Sequence, residues 1–219
     1  MKKKNIFVKL TALVLVVMAT QISYAQDVAK NIEKDVAEGK KIYQQNCVFC
    51  HQADAIGKPG FAPSLSNEEL LSIASDDFLY RTIFNGRIGT SMIPFKHLGG
   101  KKIYQIIGYL RSLTTKPNRS KEVEAQHDSH GDARLGKIWF EDICATCHGV
   151  KGDGYLSGST GTAIGNKNFL KVVSDGFLRE TIKHGRSNTR MLSFSGPTGL
   201  ANLSDGEIED IIAYIRTFY

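Results

Sequence analysis

Cys47-Val48-Phe49-Cys50-His51 and Cys144-Ala145-Thr146-Cys147-His148 hold all four cysteines of the 219-residue chain. On a helix, residues three and four apart share a face. Two thiols one turn apart, with an imidazole directly after them, therefore form one compact reactive group. Such a C-x-x-C-H segment marks covalent attachment of a c-type haem, the thiols reaching the two vinyl groups while the histidine turns toward the iron. Three other uses of paired cysteines compete: a structural disulfide, a thioredoxin-like redox pair and a four-cysteine zinc site. None of them requires a histidine after both pairs. A redox pair would also want a βαβ surround, and zinc ribbons hold their ligand pairs much closer in sequence than 47/50 and 144/147.

The two motifs sit inside a longer internal repeat. Ser75-Asp76-Asp77-Phe78-Leu79 matches Ser174-Asp175-Gly176-Phe177-Leu178, and the same offset pairs Thr82-Ile83 with Thr181-Ile182 and Gly86-Arg87 with Gly185-Arg186. Five residues beyond each arginine stands a methionine, Met92 in Met-Ile-Pro-Phe and Met191 in Met-Leu-Ser-Phe. The other two methionines, Met1 and Met18, fall in the first 25 residues. Methionine ordinarily fills irregular core space, but two methionines at equivalent positions after two haem motifs point to iron ligation. Gly39-Lys40 and Gly136-Lys137 precede the motifs. Ile106-Ile107 with Tyr109 and Leu110-Arg111 answers Ile211-Ile212 with Tyr214 and Ile215-Arg216, so each half is a complete unit.

Charge and hydropathy narrow the function classes. Lys2, Lys3 and Lys4 form a basic start, Leu10 to Ala19 a short apolar run, and Ser23-Tyr24-Ala25 a small-x-small cleavage site, the pattern of an export signal over residues 1–25. The run falls short of the roughly 20 residues that span a bilayer, and no later stretch is long and apolar enough. The expectation is an exported, periplasmic protein without a transmembrane segment in its mature form. Cleavage would remove four of the 28 basic residues and none of the 22 acidic ones, leaving a formal charge of +2. That balance, with no polybasic run, excludes nucleic acid and anionic membrane as partners.

Domain 1 is expected over residues 27–113 and domain 2 over 133–219. Between them, 114–132 reads as a polar linker containing Pro117, Asn118 and Gly131. In each domain a helix bearing Tyr43 or Phe140 leads into the haem motif, an Asp-x-Phe-Leu helix precedes the glycine-arginine pair, and a third helix, near 101–113 or 205–218, closes the unit. The last helix shows Ile208, Ile211, Ile212 and Ile215 on one stripe after a Ser204-Asp205-Gly206-Glu207 capping signal, and that stripe should pack on the first helix. Little of the chain alternates as strands require. The fold class is all-α, a few helices wrapped round one haem in each domain.

These residues resemble two fused class I cytochrome c domains, the tandem dihaem family of bacterial electron-transport chains, over nearly the whole mature chain. The resemblance implies two covalently bound haem c groups on Cys47, Cys50, Cys144 and Cys147. It implies His51 with Met92 and His148 with Met191 as axial iron ligands, and a Pro63 carbonyl that orients His51. The second domain departs from the pattern, because the repeat puts Thr162 opposite Pro63 and the Gly149 to Gly161 loop is two residues longer. Arg87 and Arg186 suit haem propionates by their planar geometry, against the plainer reading of a solvent-facing charge. His97 and His184 compete weakly with the methionines, while His127 and His130 in the linker are expected to be solvated.

The implied function is single-electron transfer between redox proteins or a membrane-bound respiratory complex, with no bond chemistry on a substrate. The main rival is a dihaem enzyme or its cytochrome subunit, a sulfur-compound oxidase or peroxidase in which one iron has a replaceable or absent ligand; two equivalent methionines argue against it. A free shuttle and a bound subunit of a larger dehydrogenase or reductase complex share all these motifs. A zinc-binding interaction module would be colourless. The purified exported protein is expected to weigh one chain plus two haems by intact-mass measurement. Cys50→Ala and Cys147→Ala should each abolish stable holo-protein in their own domain, and a colourless wild-type protein would overturn the haem reading.

Overall fold

A computed structural model describes the backbone of residues 2–219 and the side chains of residue 21 and residues 24–219. The apolar run on which the export signal rests lies outside the described side chains. Domain 1 begins in helix α1 (Lys2–Asn46) and continues through the short α2 (Val48–His51), α3 (Glu68–Ile73), α4 (Asp76–Asn85) and α5 (Gly99–Arg111). Helix α6 (Ser120–Glu124) follows. Domain 2 repeats the order with α7 (Ala133–Trp139), a π-helical turn over Phe140–Cys144, α8 (Ala145–His148), α9 (Lys167–Leu170), α10 (Asp175–His184) and α11 (Asp205–Arg216). Among the described residues there is no strand, only the isolated bridges Lys58–Ala62 and Ser195–Leu203. No helix among them is long and apolar enough to cross a membrane.

Each domain is built on the crossing of its first and last helices. Ile103, Ile106, Ile107 and Leu110 of α5, and Ile208, Ile211, Ile212 and Ile215 of α11, are almost wholly buried. Each such side chain contributes roughly 1.5–3 kcal/mol on removal from water. The crossing is close because a glycine stands at each contact. A Cβ on Gly39 would collide with the Gln105 carbonyl oxygen, and one on Gly136 with that of Asp210. Beneath the crossing lie Tyr43 and Phe140, both fully buried, packed on Tyr109 and Tyr214 at ring distances of 5.2 and 5.3 Å.

Polar side chains set where the helices start and stop. Ser75 and Ser174 accept the Phe78 and Phe177 amides at the heads of α4 and α10, and Ser204 forms a full capping box with Glu207. An arginine then ties the last helix to the middle of each domain. Arg111 donates to the Leu71 and Ala74 carbonyls and to Asp76, while Arg216 donates to the Leu170 and Val173 carbonyls and to Asp175. These carbonyls lie at the ends of α3 and α9, where no intrahelical donor reaches them.

The segment over 114–132 is packed along both domains. Arg119 N–H donates to Ser72 O at 2.7 Å, and the Ser72 hydroxyl donates to Pro117 O at 2.8 Å. On the other side Val123 is fully buried, Arg179 donates to Gln126 and the His127 carbonyl, and Ser129 N–H donates to Asp175. Arg179 is itself buried in a bidentate pair with Glu209 at 2.5 and 2.9 Å.

The two domains meet about an approximate two-fold axis. Phe78 and Phe177, equivalent in the repeat, face each other with ring centroids 5.0 Å apart. Asn67, which caps α3, donates to Ser187 O at 3.0 Å, and its counterpart Asn166, which caps α9, donates to Ile88 O at 2.8 Å. Because Ile88 and Ser187 are equivalent as well, the contact is isologous, the same patch used from both sides. Gly136→Val is expected to force α7 off α11 at a cost of about 1–3 kcal/mol or more, seen as a lower melting temperature; an unchanged melt would refute the close crossing.

Candidate haem-binding sites

In each domain the first helix delivers the thiols and the imidazole to one turn. Cys47 N–H donates to Tyr43 O at 2.8 Å and His51 N–H to Cys47 O at 2.9 Å, so the motif continues the helix after a single break. In domain 2 the π-helical turn over Phe140–Cys144 ends on the first cysteine of the motif, the kind of irregularity that often marks functional positions. All four cysteines are unpaired and partly buried. Burial pushes the Cys47 thiol up to about 11 and the Cys144 thiol up to about 12, in each case with a further push from the second cysteine of the motif.

A backbone carbonyl fixes each imidazole. His51 Nδ1 lies 3.0 Å from Pro63 O and His148 Nδ1 lies 2.8 Å from Thr162 O. A carbonyl only accepts, so each Nδ1 carries the proton, leaving Nε2 as the lone-pair nitrogen a metal needs. The longer loop of domain 2 thus returns to the same place with threonine where domain 1 has proline. The carbonyl, not the proline ring, is the working part. Burial lowers the pKa of both imidazoles; the carbonyl bond pulls the other way, and Arg87 or Arg186 pushes down further. Both rings are therefore neutral near pH 7.

The methionine loops match bond for bond. Arg87 N–H donates to Met92 O at 2.8 Å and Arg186 N–H to Met191 O at 2.6 Å. Inside each loop a threonine hydroxyl takes both remaining groups. Thr90 donates to Arg87 O and accepts from Met92 N–H, and Thr189 does the same with Arg186 and Met191, at 2.8 and 3.1 Å in both loops. Gly86 and Gly185 precede them at φ of 60° and 66°. A Cβ there would lie within 2.6 Å of the Met92 or Met191 carbonyl oxygen, so only glycine makes the turn. Met92 and Met191 are both partly buried.

Arg87 and Arg186 lie at the seam between the domains. Arg87 stacks over Phe169 of the other domain at 4.6 Å, and Arg186 stands over Phe177 at 5.4 Å and reaches Thr181 Oγ1 at 3.5 Å. Burial pulls both guanidinium pKa values down to about 10. For Arg87 the neighbouring Tyr155 partly offsets this; for Arg186 the nearby Arg87 adds to it and Glu69 opposes it. Among the described residues neither guanidinium is paired with a carboxylate. Two partly buried cations with no carboxylate in direct contact, and the buried Thr82 hydroxyl without a hydrogen-bond partner, fit a group that brings its own carboxylates. Haem propionates are such a group, and the free thiols and free Nε2 atoms fit its vinyl groups and its iron.

Two family models divide the chain at the same seam. Residues 34–110 match the cytochrome c oxidase, cbb3-type, subunit III family, and residues 133–218 match the cytochrome c family. The chain is a tandem pair of cytochrome c domains. Two covalently bound haem c groups, one per domain, follow from that membership and from the two cysteine motifs. Among curated relatives, the cbb3-type cytochrome c oxidase subunit CcoP of Rubrivivax gelatinosus is 31% identical over 192 residues, covering 85% of this chain and 57% of the relative. The CcoP subunit of Azospirillum brasilense is 27% identical, covering 87% and 65%, and the FixP subunit of Bradyrhizobium diazoefficiens 29%, covering 85% and 64%. The chain therefore spans less than two thirds of the length of these relatives. A chain of the Kuenenia stuttgartiensis reducing HAO-like protein complex shares the fold, with a TM-score of 0.50 and 21% identity over 83% of this chain and 95% of that one.

In this tandem cytochrome His51 and His148 close the short helices α2 and α8, and Pro63, Arg87, Met92, Arg186 and Met191 lie on loops. His97 and His184 are exposed, His184 facing Glu180 at 3.6 Å, and His127 and His130 stack on each other at the surface, rings 6.3 Å apart. Sequence reading missed Thr90 and Thr189, although they stand at the repeat offset. It also gave no role to Asn67 and Asn166, nor to Arg111 and Arg216, which it paired only as matching letters. Thr90→Val or Thr189→Val should loosen its methionine loop by about 1 kcal/mol, read as earlier thermal loss of the sulfur-to-iron charge-transfer band in the oxidised protein. Met92→Ala and Met191→Ala should each remove half of that band; its survival in the double variant would exclude methionine ligation.

Proposed function

We propose that the protein is an exported electron carrier that passes single electrons between a soluble or membrane-anchored donor and a respiratory oxidase complex. In this reading Cys47, Cys50, His51 and Met92 hold one haem c, and Cys144, Cys147, His148 and Met191 the other. The observation that carries it is the identity of the two methionine loops. Both domains spend the same glycine, arginine and threonine on presenting a thioether, so neither iron keeps an open position for a substrate. The bound haem supplies a ferric/ferrous couple, whose potential is raised by thioether ligation.

The chain supplies the rest. Pro63 O and Thr162 O hold the imidazoles in one tautomer, Arg87 and Arg186 offer the propionates charge-assisted hydrogen bonds, and the buried isoleucine crossings keep both frames rigid. The relatives' names support an oxidase as electron acceptor, as does the match of the first domain to the cbb3-type subunit III family. The domains are proposed as 27–113 and 133–219, joined by 114–132, with residues 1–25 as the export signal and the periplasm as the destination.

The test is stopped-flow mixing of the reduced holo-protein with membranes rich in a cbb3-type oxidase. Oxidation of both haems within the turnover time of the oxidase, blocked by cyanide, is expected. Turnover of peroxide or of a reduced sulfur compound by the purified protein alone would replace the carrier reading with an enzyme.

A further inference from the structure

The two halves of the seam are alike in backbone and unlike in charge. At the head of α3, Asn67 is followed by Glu68 and Glu69; at the head of α9 its counterpart Asn166 is followed by Lys167 and Asn168. Each head lies against the arginine loop of the opposite domain. Glu69 Oε2 accepts from Ser187 N–H at 3.1 Å and from the Ser187 hydroxyl at 2.8 Å, next to Arg186. Asn168, in the place of Glu69, instead donates to Gly86 O at 3.5 Å, next to Arg87.

The surroundings extend the contrast. A cleft of about 700 Å³ at the Arg87 end of the seam is lined by Arg81, Lys167 and Lys171 as well as by Ile88 and Asn168. Arg81 is itself paired with the exposed Asp77 at 2.8 Å, and Tyr219 also lines the cleft. At the Arg186 end stand Glu68, Glu69 and Lys116. Lys116 binds Glu69 Oε1 at 2.7 Å from the solvent side, where it is 41% exposed, whereas the Glu69 side chain is 22% exposed and turns its other oxygen inward. A solvent-facing cation is screened more strongly than a carboxylate set into the seam. Burial alone would raise the Glu69 pKa, but Lys116 and Ser187 hold it down at about 2, so its charge is permanent.

We infer that this asymmetry orders the two haems: Glu69 beside Arg186 makes the second-domain haem the easier to oxidise, and the cationic head of α9 makes the first-domain haem the easier to reduce. A nearby negative charge favours the ferric state and a positive one the ferrous state. One electron then moves downhill from the second domain to the first, the former oxidised and the latter reduced, with no proton or co-reactant. Glu69 is a positioning residue, acting through the field it adds to Arg186 and its haem. This inference rests on the electron-carrier reading and deepens it by giving the current a direction inside the chain.

The test is spectroelectrochemical titration of the full holo-protein, with the second-domain wave marked by its displacement in Met191→His. The lower wave is expected to belong to the second domain. Glu69→Gln should raise it and shift the electron partition between the haems by about three-fold or more, a ten-fold shift being about 59 mV for one electron. Because Glu69→Gln also weakens the contact to Ser187, Lys167→Gln removes a positive charge at the other end without touching either seam contact, and it should lower the first-domain wave. A lower wave in the first domain, or a separation unchanged in both variants, overturns the ordering and leaves electron transfer intact. Fewer than two covalent haems in the wild type would overturn both.

Discussion

The carbonyl-to-imidazole hydrogen bond is the constraint on which the rest of each domain depends. A histidine one residue past two tethered thiols has a backbone position but no ring orientation, and either nitrogen can carry the proton until something takes one of them. Pro63 O and Thr162 O each take Nδ1, which frees Nε2 toward the haem pocket. To place that carbonyl, domain 1 uses a tight loop and domain 2 a longer one with a 3₁₀ turn over Gly154–Ser157. The two loops differ in length and residue yet converge on one acceptor, and this convergence identifies the atom that matters.

The methionine loops are built on the same economy. The turn at Gly86 or Gly185 brings the arginine amide onto the methionine carbonyl, and one threonine hydroxyl bonds at both ends of the loop. A loop with its polar groups paired internally has little reason to rearrange when the charge of the metal changes. Low rearrangement is what a one-electron carrier needs, because any motion coupled to oxidation adds to the barrier.

Much of this was legible in the sequence because it is local. Two C-x-x-C-H motifs, the helix stripe ending at Ile215, the Ser204 capping box and the glycine-arginine-methionine spacing are all set by residues within a few turns of each other, and the repeat doubled every signal. The seam was not legible, because it is made between residues remote in sequence: Asn67 with Ser187, Asn166 with Ile88. The same holds for 114–132, whose composition reads as a tether. A single buried valine, Val123, and backbone groups that bond to side chains of both domains make it a strap, and burial of one apolar residue leaves no periodic trace.

An approximate two-fold axis makes the asymmetries informative. Where repeat positions face each other across the seam, common ancestry explains the shared backbone, but it does not explain why Glu69 answers Asn168 or why Glu68 answers Lys167. A chain whose two haems were interchangeable would gain nothing from opposite charges at the two ends. Rigid coupling is what gives those charges an effect: with α10 tied through Arg179 and Gln126 to the strap, and the strap tied through Ser72 to α3, the separation between each charge and each arginine is held. A fixed field over a fixed gap sets a direction for current, which a flexible tether between two identical carriers would average away.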